Sequence, residues 1–267
     1  MTYFPLADGR RLAVVSRGGG APLVLLHGWS MSAAVFTELL DPLGVERLVL
    51  APDLPGHGAS DPGPAYDPAA LAGDLEEWLL GTGHREIDLI GWSLGGQVAL
   101  ELARSARLRV RRLVLVATTP RFVASSDWPH GLPPGQVRAM ARDLRRDYPA
   151  TLEAFFQLQF AAEQLPRERW QSLLDQTFQP ASRPIPEVAL AALEALRVGD
   201  LRGRLANVTC PTLVHQGEFD RITVPTAAAV LAAGLPSARL RFMDGVGHAP
   251  FLSRPGETLQ LWREFLQ

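Results

Sequence analysis

The chain has 267 residues, enough to bury a substantial interior as one large domain or as a core with an insertion. Its 26 basic and 28 acidic residues give a formal net charge of −2, so charge offers no reason to expect a nucleic-acid partner. Every basic residue apart from histidine is an arginine, which excludes chemistry that needs a lysine amine.

The single cysteine, Cys210, excludes an intramolecular disulfide and favours a reducing compartment. Because Cys210 precedes an apolar run, we interpret it as a buried, unreactive thiol. The first residues lack the basic and apolar regions of a signal peptide, and no apolar run is long enough to cross a bilayer. We therefore expect a soluble cytoplasmic protein with no membrane partner.

Apolar runs and amphipathic segments alternate along residues 1–119. Strands are predicted at 11–15, 22–26, 47–52, the run ending at Gly91 and 111–117, and helices at 33–43, 68–80 and directly after Ser93. The continuous apolar run at 22–26 is typical of a strand covered on both faces of a parallel sheet. The alternation predicts an α/β fold with a mostly parallel, doubly wound sheet.

The alternation stops after residue 119. Four amphipathic helix patterns separated by prolines follow, with no strand candidate among them, at 135–148, 151–162, 166–178 and 186–197. Strands are predicted again at 212–217 and 239–243, and a helix at 255–266. We therefore expect an α/β core formed by 1–119 and 199–267, with 120–198 inserted as an α-helical cap.

The segment Gly91-Trp92-Ser93-Leu94-Gly95 predicts a sharp turn from a strand into a helix. Its glycines avoid collisions across so tight a turn, which holds Ser93 Oγ above the sheet. The Leu94 N–H falls in the first turn of the helix, where backbone donors lack partners and the helix dipole favours an anion. Ser93 is therefore a candidate nucleophile, and Leu94 a candidate oxyanion donor.

A serine nucleophile needs a general base and a carboxylate that orients the base. Asp220 follows the predicted strand 212–217, and His248 follows the strand 239–243. Both lie at carboxyl ends of strands, where open α/β sheets place their sites. We predict Asp220 as the acid, with Glu218 as a close alternative and Asp127 as a distant one.

His248 is the best candidate base among six histidines, because its glycine-rich loop is ended by Pro250. His27 and His57 are interpreted as structural. The remaining histidines lie in a loop between a helix and a strand, at the start of the insertion and within a strand, at His84, His130 and His215.

A second oxyanion donor should come from a loop near the first parallel strands. The Trp29 N–H in His27-Gly28-Trp29 fits this role, with the indole lining an acyl pocket, packing in the core, or both. No metal-binding motif is present, and the glycine-rich turn at Ser93 lacks the lysine of a phosphate-binding loop. We expect neither a metal nor another cofactor.

The helix predicted at 135–148 carries a basic stripe. Arg138, Arg142 and Arg145 recur at i, i+4 and i+7, opposite an apolar face. Asp143 and Asp147 partly offset their charge. The stripe is either a solvated face or a landing site for an acidic partner.

These motifs carry a resemblance that covers about residues 20–267. The chain resembles the α/β-hydrolase superfamily and, within it, is similar to the carboxylesterases of biotin biosynthesis. The stretches that carry the closer similarity are Leu26-His27-Gly28-Trp29, Gly91-Trp92-Ser93-Leu94-Gly95-Gly96, Thr119-Pro120-Arg121-Phe122 with Asp127-Trp128-Pro129, Phe155-Phe156-Gln157-Leu158-Gln159, and His248-Ala249-Pro250-Phe251.

The resemblance implies hydrolysis of the methyl ester on a pimeloyl chain carried by acyl carrier protein. It implies nucleophile, acid and base roles for Ser93, Asp220 and His248, and oxyanion or substrate contacts from Trp29 and Leu94. It also implies cap contacts to the acyl chain from Phe155, Phe156, Gln157, Leu158 and Gln159.

The resemblance also implies cap arginines that hold the acidic carrier. Arg167 matches that pattern, but Ala150 and Ala154 depart from it. The stripe formed by Arg138, Arg142 and Arg145 is a possible substitute.

Several alternative functions stay open. The same residue types would serve a broad carboxylesterase, a thioesterase or a carbon-carbon hydrolase. Ser93 argues against a haloalkane dehalogenase, which would have an aspartate there. A hydrolase-fold signalling protein that binds a small ligand is a further alternative, and a turnover number would separate it from an enzyme.

Overall fold

An eight-stranded sheet organises the computed structural model, which describes residues 1–179 and 183–267. The strands are β1 (Thr2–Pro5), β2 (Arg11–Arg17), β3 (Pro22–Leu26), β4 (Leu48–Pro52), β5 (Glu86–Trp92), β6 (Arg109–Val116), β7 (Thr212–Gly217) and β8 (Ala238–Met243). Their order is β1-β2-β4-β3-β5-β6-β7-β8. The pairings of β1 with β2 and of β2 with β4 are antiparallel, and those from β4 through β8 are parallel. The predicted fold class is confirmed.

The helices of the described residues lie either along this sheet or in the segment between β6 and β7. They are α1 (Thr37–Gly44), α2 (Pro68–Gly81), α3 (Leu94–Leu102), α4 (Pro134–Arg146), α5 (Tyr148–Leu158), α6 (Arg167–Thr177), α7 (Pro186–Val198), α8 (Pro225–Gly234), α9 (Pro250–Ser253) and α10 (Pro255–Leu266). Helix α3 packs against β3, β5 and β6, and α8 packs against β7 and β8. In the described part of the chain, no helix is long and apolar enough to cross a membrane.

The central strands are buried almost throughout. In β3, four consecutive residues after Pro22 are buried, and in β5 every residue after Glu86 is buried. Their apolar, largely branched side chains suit a sheet that helices cover. This burial fixes the strand ends, and the loops that follow them start from rigid positions.

Three elements escaped the sequence analysis: β1, α8 and the single turn of α9, which lies where only a loop was expected. Strand β1 is mostly exposed and has no apolar periodicity, and it forms because it pairs with β2. Helix α8 begins at Pro225 and is rich in alanine, so its amphipathic signal is weak.

Helix α5 begins earlier than predicted. The Asp147 side chain accepts a hydrogen bond from the Ala150 N–H at 3.1 Å and caps the helix, with a proline in its first turn. The helix ends at Leu158, and hydrogen-bonded turns continue the chain to Glu163. The side chains after Leu158 therefore do not follow the helical periodicity assumed for 151–162.

Helices α4 to α7 lie between β6 and β7 in the chain, and we refer to them as the inserted helices. The segment that holds them leaves and rejoins the sheet at one point, where the Leu201 N–H donates to the Pro120 carbonyl at 2.8 Å. The predicted insertion, 120–198, includes residues 180–182, which lie outside the described residues.

The inserted helices have an apolar core of their own. The Phe156 ring stacks on Phe178 with centroids 4.7 Å apart and also contacts Phe160 and Trp170. Helix α4 packs against α5 and α7. This aromatic core holds the inserted helices together over the end of the sheet where β5 turns into α3.

Candidate active site

The turn between β5 and α3 holds Ser93 in a strained backbone conformation. Its φ is +55° and its ψ is −116°, values that a residue other than glycine adopts only at a cost. A methyl group on Gly95 would lie 2.3 Å from the Leu26 carbonyl oxygen, so only glycine lets α3 pack this closely on the end of β3. Ser93 itself is half-buried, whereas the residues on both sides of it are buried.

The loop after β3 lies against this turn. A methyl group on Gly28 would come within 3.3 Å of Ser93 Cβ. Neither the Trp29 N–H nor the Leu94 N–H donates a hydrogen bond to a residue that the structure describes. Two backbone N–H groups without a partner among the described residues therefore lie at the start of α3 and on the loop that contacts its turn.

His27 fixes the peptide group that carries one of these donors. Its Nδ1–H donates to the Gly28 carbonyl at 2.9 Å, and its Nε2 accepts from the Leu54 N–H at 2.9 Å. Since a peptide is planar and trans, holding the Gly28 carbonyl turns the Trp29 N–H to the opposite side. Burial lowers the pKa of His27 to about 4, so the ring is neutral at physiological pH.

The carboxylate of Asp220 accepts five hydrogen bonds. Oδ1 accepts from the N–H groups of Ile222 at 2.8 Å and Thr223 at 2.9 Å. Oδ2 accepts from Gln216 Nε2 at 2.9 Å, Thr223 Oγ1 at 2.7 Å and His248 Nδ1 at 2.8 Å. These bonds fix both the position of the carboxylate and the orientation of the imidazole.

Charge and hydrogen bonding favour the ionised form of Asp220. Burial alone would raise the pKa of Asp220, but the charge of His248 and the bonds from His248 and Thr223 hold that pKa below its usual range. An ionised carboxylate only accepts hydrogen bonds, so His248 Nδ1 carries the proton. In the neutral imidazole, the lone pair therefore lies on Nε2, the nitrogen that a general base needs.

The alternative carboxylates have other partners. Glu218 accepts from the Gly245 N–H at 2.9 Å and is exposed. Asp127 pairs with Arg202 at 2.8 Å and with Arg121 at 3.3 Å, where the insertion meets the sheet. The structure therefore brings Asp220, and neither alternative, to His248.

Four site loops meet at one end of the sheet, because β3, β5, β7 and β8 run parallel and each loop follows the carboxyl end of its strand. His248 adjoins the turn at Ser93 through Trp92, whose Nε1–H donates to the His248 carbonyl at 2.9 Å. The two rings lie with centroids 5.6 Å apart.

The inserted helices close over the Trp29 side of this region. The Trp29 Nε1–H donates to the Ala189 carbonyl at 2.9 Å, and the Phe155 ring meets the indole edge-on with centroids 4.9 Å apart. Both the predicted pocket role of the indole and its packing role are compatible with these contacts.

The five residues predicted as acyl-chain contacts have different surroundings. Phe155 faces Trp29, whereas Phe156 is fully buried in the aromatic core of the inserted helices. Gln157 is exposed, and Leu158 is half-buried. Gln159 is 1% exposed, and neither atom of its amide has a hydrogen-bond partner among the described residues.

The basic stripe is exposed along α4, which buries Val137 and Leu144 on its other face. Arg138, Arg142 and Arg145 all lie on the exposed side, and Arg142 pairs with Asp143 at 3.0 Å. Arg167, the first residue of α6, is also exposed.

The sequence analysis missed the side chains that support Asp220. Thr223 and Gln216 each donate to its carboxylate. An aspartate in a turn often accepts hydrogen bonds from backbone N–H groups two or three residues later, and Thr223 stands three residues after Asp220. This spacing was the one sequence signal that could have identified Thr223. Gln216 ends a buried strand and gave no local signal.

Comparisons with known proteins agree with this architecture. A family model described as alpha/beta hydrolase fold matches residues 21–255. A protein from Nitrosomonas europaea named pimeloyl-[acyl-carrier protein] methyl ester esterase is 37% identical over 242 residues, 91% of this chain and 94% of the relative. A protein of the same name from Aromatoleum aromaticum is 39% identical over 247 residues, 90% of this chain and 95% of the relative.

A solved structure gives the same picture. An esterase from Exiguobacterium antarcticum superposes with a TM-score of 0.89 at 26% identity, over 99% of this chain and 98% of that one.

Proposed function

The chain belongs to the alpha/beta hydrolase family and is a carboxylic ester hydrolase, and on that premise we propose that it hydrolyses the methyl ester of pimeloyl-acyl carrier protein. The products would be methanol and pimeloyl-acyl carrier protein with a free carboxylate, as required in biotin biosynthesis. Relatives named for this reaction, 37% and 39% identical over nine-tenths of the chain, support this substrate.

In the acylation step, Ser93 Oγ attacks the ester carbonyl while His248 Nε2 removes its proton. Asp220 stabilises the imidazolium that forms, and the N–H groups of Trp29 and Leu94 hold the oxyanion. Collapse of the tetrahedral intermediate breaks the bond to the methoxy oxygen, which leaves as methanol with the proton from His248. The remaining acyl group is esterified to Ser93.

In the deacylation step, His248 removes a proton from water, and the resulting hydroxide attacks the acyl-enzyme. Collapse of the second intermediate returns the proton to Ser93 and releases the free acid. The general base and each oxyanion donor would contribute roughly two to four orders of magnitude to the rate.

Substrate recognition is assigned to the helical cap, residues 120–198. Phe155, whose ring packs on Trp29, and Gln159, whose buried amide has no partner among the described residues, would contact the substrate. Half-buried Leu158 lies between them in the chain and would contribute a further contact. Phe156 would act by holding α5 in place, and Gln157 would contact the substrate only at the exposed edge.

The acidic carrier would dock on the exposed arginines Arg138, Arg142, Arg145 and Arg167. Since the carrier bears the acyl chain, this surface has to lie near the entrance to the site.

The single observation that carries the esterase mechanism is the buried Asp220–His248 pair, 2.8 Å apart, at the same sheet end as the strained Ser93. Packing alone does not require a buried carboxylate with five hydrogen bonds. Because Asp220 binds His248 through Nδ1, Nε2 is left to act as the base.

The test compares kcat/KM for pimeloyl-acyl-carrier-protein methyl ester with that for the same acyl methyl ester without its carrier, at matched salt. We expect a preference of at least about 10-fold for the carrier form. The Ser93→Ala variant should remain folded and lose turnover on both substrates. Equal rates on the two substrates would contradict the carrier-bound substrate, and activity retained by Ser93→Ala would contradict the mechanism.

A further inference from the structure

The loop that presents His248 is held from two sides. On the core side, the Phe219 N–H donates to the Val246 carbonyl at 2.8 Å, and the Trp92 indole donates to the His248 carbonyl. On the other side, the loop meets the turns that follow α5, at Gln159 and Glu163. The second contact is unexpected, because these turns belong to the inserted helices.

Two successive backbone N–H groups of the histidine loop donate to this inserted segment. The His248 N–H donates to the Gln159 carbonyl at 2.9 Å, and the Gly247 N–H donates to Glu163 Oε1 at 2.8 Å. A methyl group on Gly247 would lie 2.3 Å from the Gln159 carbonyl oxygen and 3.0 Å from Glu163 Oε1. The approach is so close that only glycine fits.

The Glu163 carboxylate also reaches the other side of His248 in the chain. Its Oε1 accepts from Ser253 Oγ at 3.0 Å, at the end of α9. One carboxylate oxygen therefore joins residues before and after the histidine. This bridge restrains the backbone that sets the direction of the imidazole.

From this geometry we infer that Glu163 is a positioning residue for His248, through which the inserted helices hold the general base in its working orientation. The inference rests on the proposed role of His248 as the base. Glu163 itself touches no reacting atom, and its contribution is made through the Gly247 N–H and Ser253.

The electrostatic environment of Glu163 is consistent with this role. Burial raises the pKa of its carboxyl, and the bonds from Ser253 and Gly247 and the charge of Arg254 partly counter that rise. The opposing contributions come first from Ser253 on α9 and then from Gly247 in the histidine loop, the two residues that the carboxylate bridges.

The test measures kcat and KM of Glu163→Ala and Glu163→Gln with a chromogenic short-chain ester that needs no carrier. Displacement of a catalytic group by about 1 Å lowers rates by roughly 100-fold, so we expect Glu163→Ala to lower kcat about 10- to 100-fold with KM changed less than about 2-fold. Glu163→Gln should recover most of kcat, because its carboxamide oxygen accepts the same two hydrogen bonds.

Glu168→Ala is the matched control, since Glu168 is an exposed carboxylate in the first turn of α6. Ser253→Ala provides a second test in case Glu163→Ala folds poorly. It should lower kcat less than Glu163→Ala does, and adding it to Glu163→Ala should cause little further loss. The low-field proton resonance of His248 Nδ1–H should move in Glu163→Ala and return in Glu163→Gln.

An unchanged kcat in Glu163→Ala, or equal losses in the Ala and Gln variants, would overturn the inference. Because the ester carries no carrier, these outcomes are independent of whether pimeloyl-acyl carrier protein is the substrate. Full activity of Ser93→Ala on the same ester would instead contradict the proposed mechanism, in which Ser93 is the nucleophile.

Discussion

The loops at the carboxyl ends of the strands and the inserted helices are built in different ways. The loops hold buried polar groups, such as Asp220 and His248, in dense hydrogen-bond networks. The inserted helices pack through an aromatic core and expose arginines along α4. The difference suits the two proposed roles: fixed polar geometry serves the proposed chemistry, and an exposed, charged surface serves the proposed recognition of an acidic carrier.

The largest expected effect comes from the polar network. Asp220→Asn should lower kcat about 10³- to 10⁴-fold, because an amide nitrogen facing His248 Nδ1 favours the wrong tautomer. The measurement is kcat on an ester without carrier, with the unfolding midpoint as a check of the fold. Glu218→Gln is the matched control, and a comparable loss in that variant would mean that the acid has been misassigned.

The core should also respond to pH more strongly than the inserted helices, which contain no histidine. Burial lowers the pKa of His27 and His215 to about 4 and, with the nearby His27 charge, that of His57 to about 3. The unfolded chain therefore binds protons that the folded chain excludes, and stability falls as pH drops below about 6.5.

When the pH falls from neutral to about 5, each of these histidines should lower the free energy of unfolding by about 1–2 kcal/mol. Denaturant unfolding at the two pH values measures the loss. His215→Asn, which keeps an acceptor for the Trp262 indole, should flatten the dependence. An identical loss in this variant would exclude His215 as a source.

Charge reversal on α4 tests the recognition surface. The triple change of Arg138, Arg142 and Arg145 to Glu should raise the apparent KM for the carrier-bound ester about 10-fold or more and leave the free methyl ester unaffected. The same change at the exposed arginines Arg85, Arg107 and Arg109, around the amino ends of β5 and β6, is the matched control. Equal effects on both esters would make the stripe a solvated face.

The smallest effect concerns how the inserted helices are attached. Arg169 on α6 forms two bonds to the Glu38 carboxylate, at 2.6 and 2.7 Å, and also donates to the Leu252 carbonyl. Arg169→Gln should lower the unfolding free energy by about 1–2 kcal/mol, because the Glu38 carboxylate and this carbonyl lose their donor. Arg146→Gln, at an exposed position on α4, should change it by less than about 0.5 kcal/mol.

The sequence was sufficient where the signal is local. The apolar run of β3 and the glycines around Ser93 each predict their conformation without knowledge of distant residues, and the structure has a strand and a sharp turn there. The sequence analysis could only rank Asp220 above Glu218, because both follow β7 within three residues. Which of the two carboxylates reaches His248 depends on how the chain turns after Gly217.

Contacts between distant segments gave no signal that could be read from the chain. The bond from Gly247 to Glu163 joins residues 84 positions apart, and it depends on how α5 ends. Strand β1 is likewise defined by its pairing with β2 rather than by its own residues. Such features require the packed structure, since neither partner has a distinctive neighbourhood in the sequence.

The meeting of the two ends of the insertion at Pro120 and Leu201 has a consequence for how such a protein can diversify. A segment that enters and leaves at one point can be exchanged as a unit, because β6 and β7 pair directly with each other in the sheet. New specificities could then be acquired without rebuilding the catalytic machinery. The constraint on such exchanges is the histidine loop, since any replacement segment would need to supply its own acceptors for the N–H groups of Gly247 and His248.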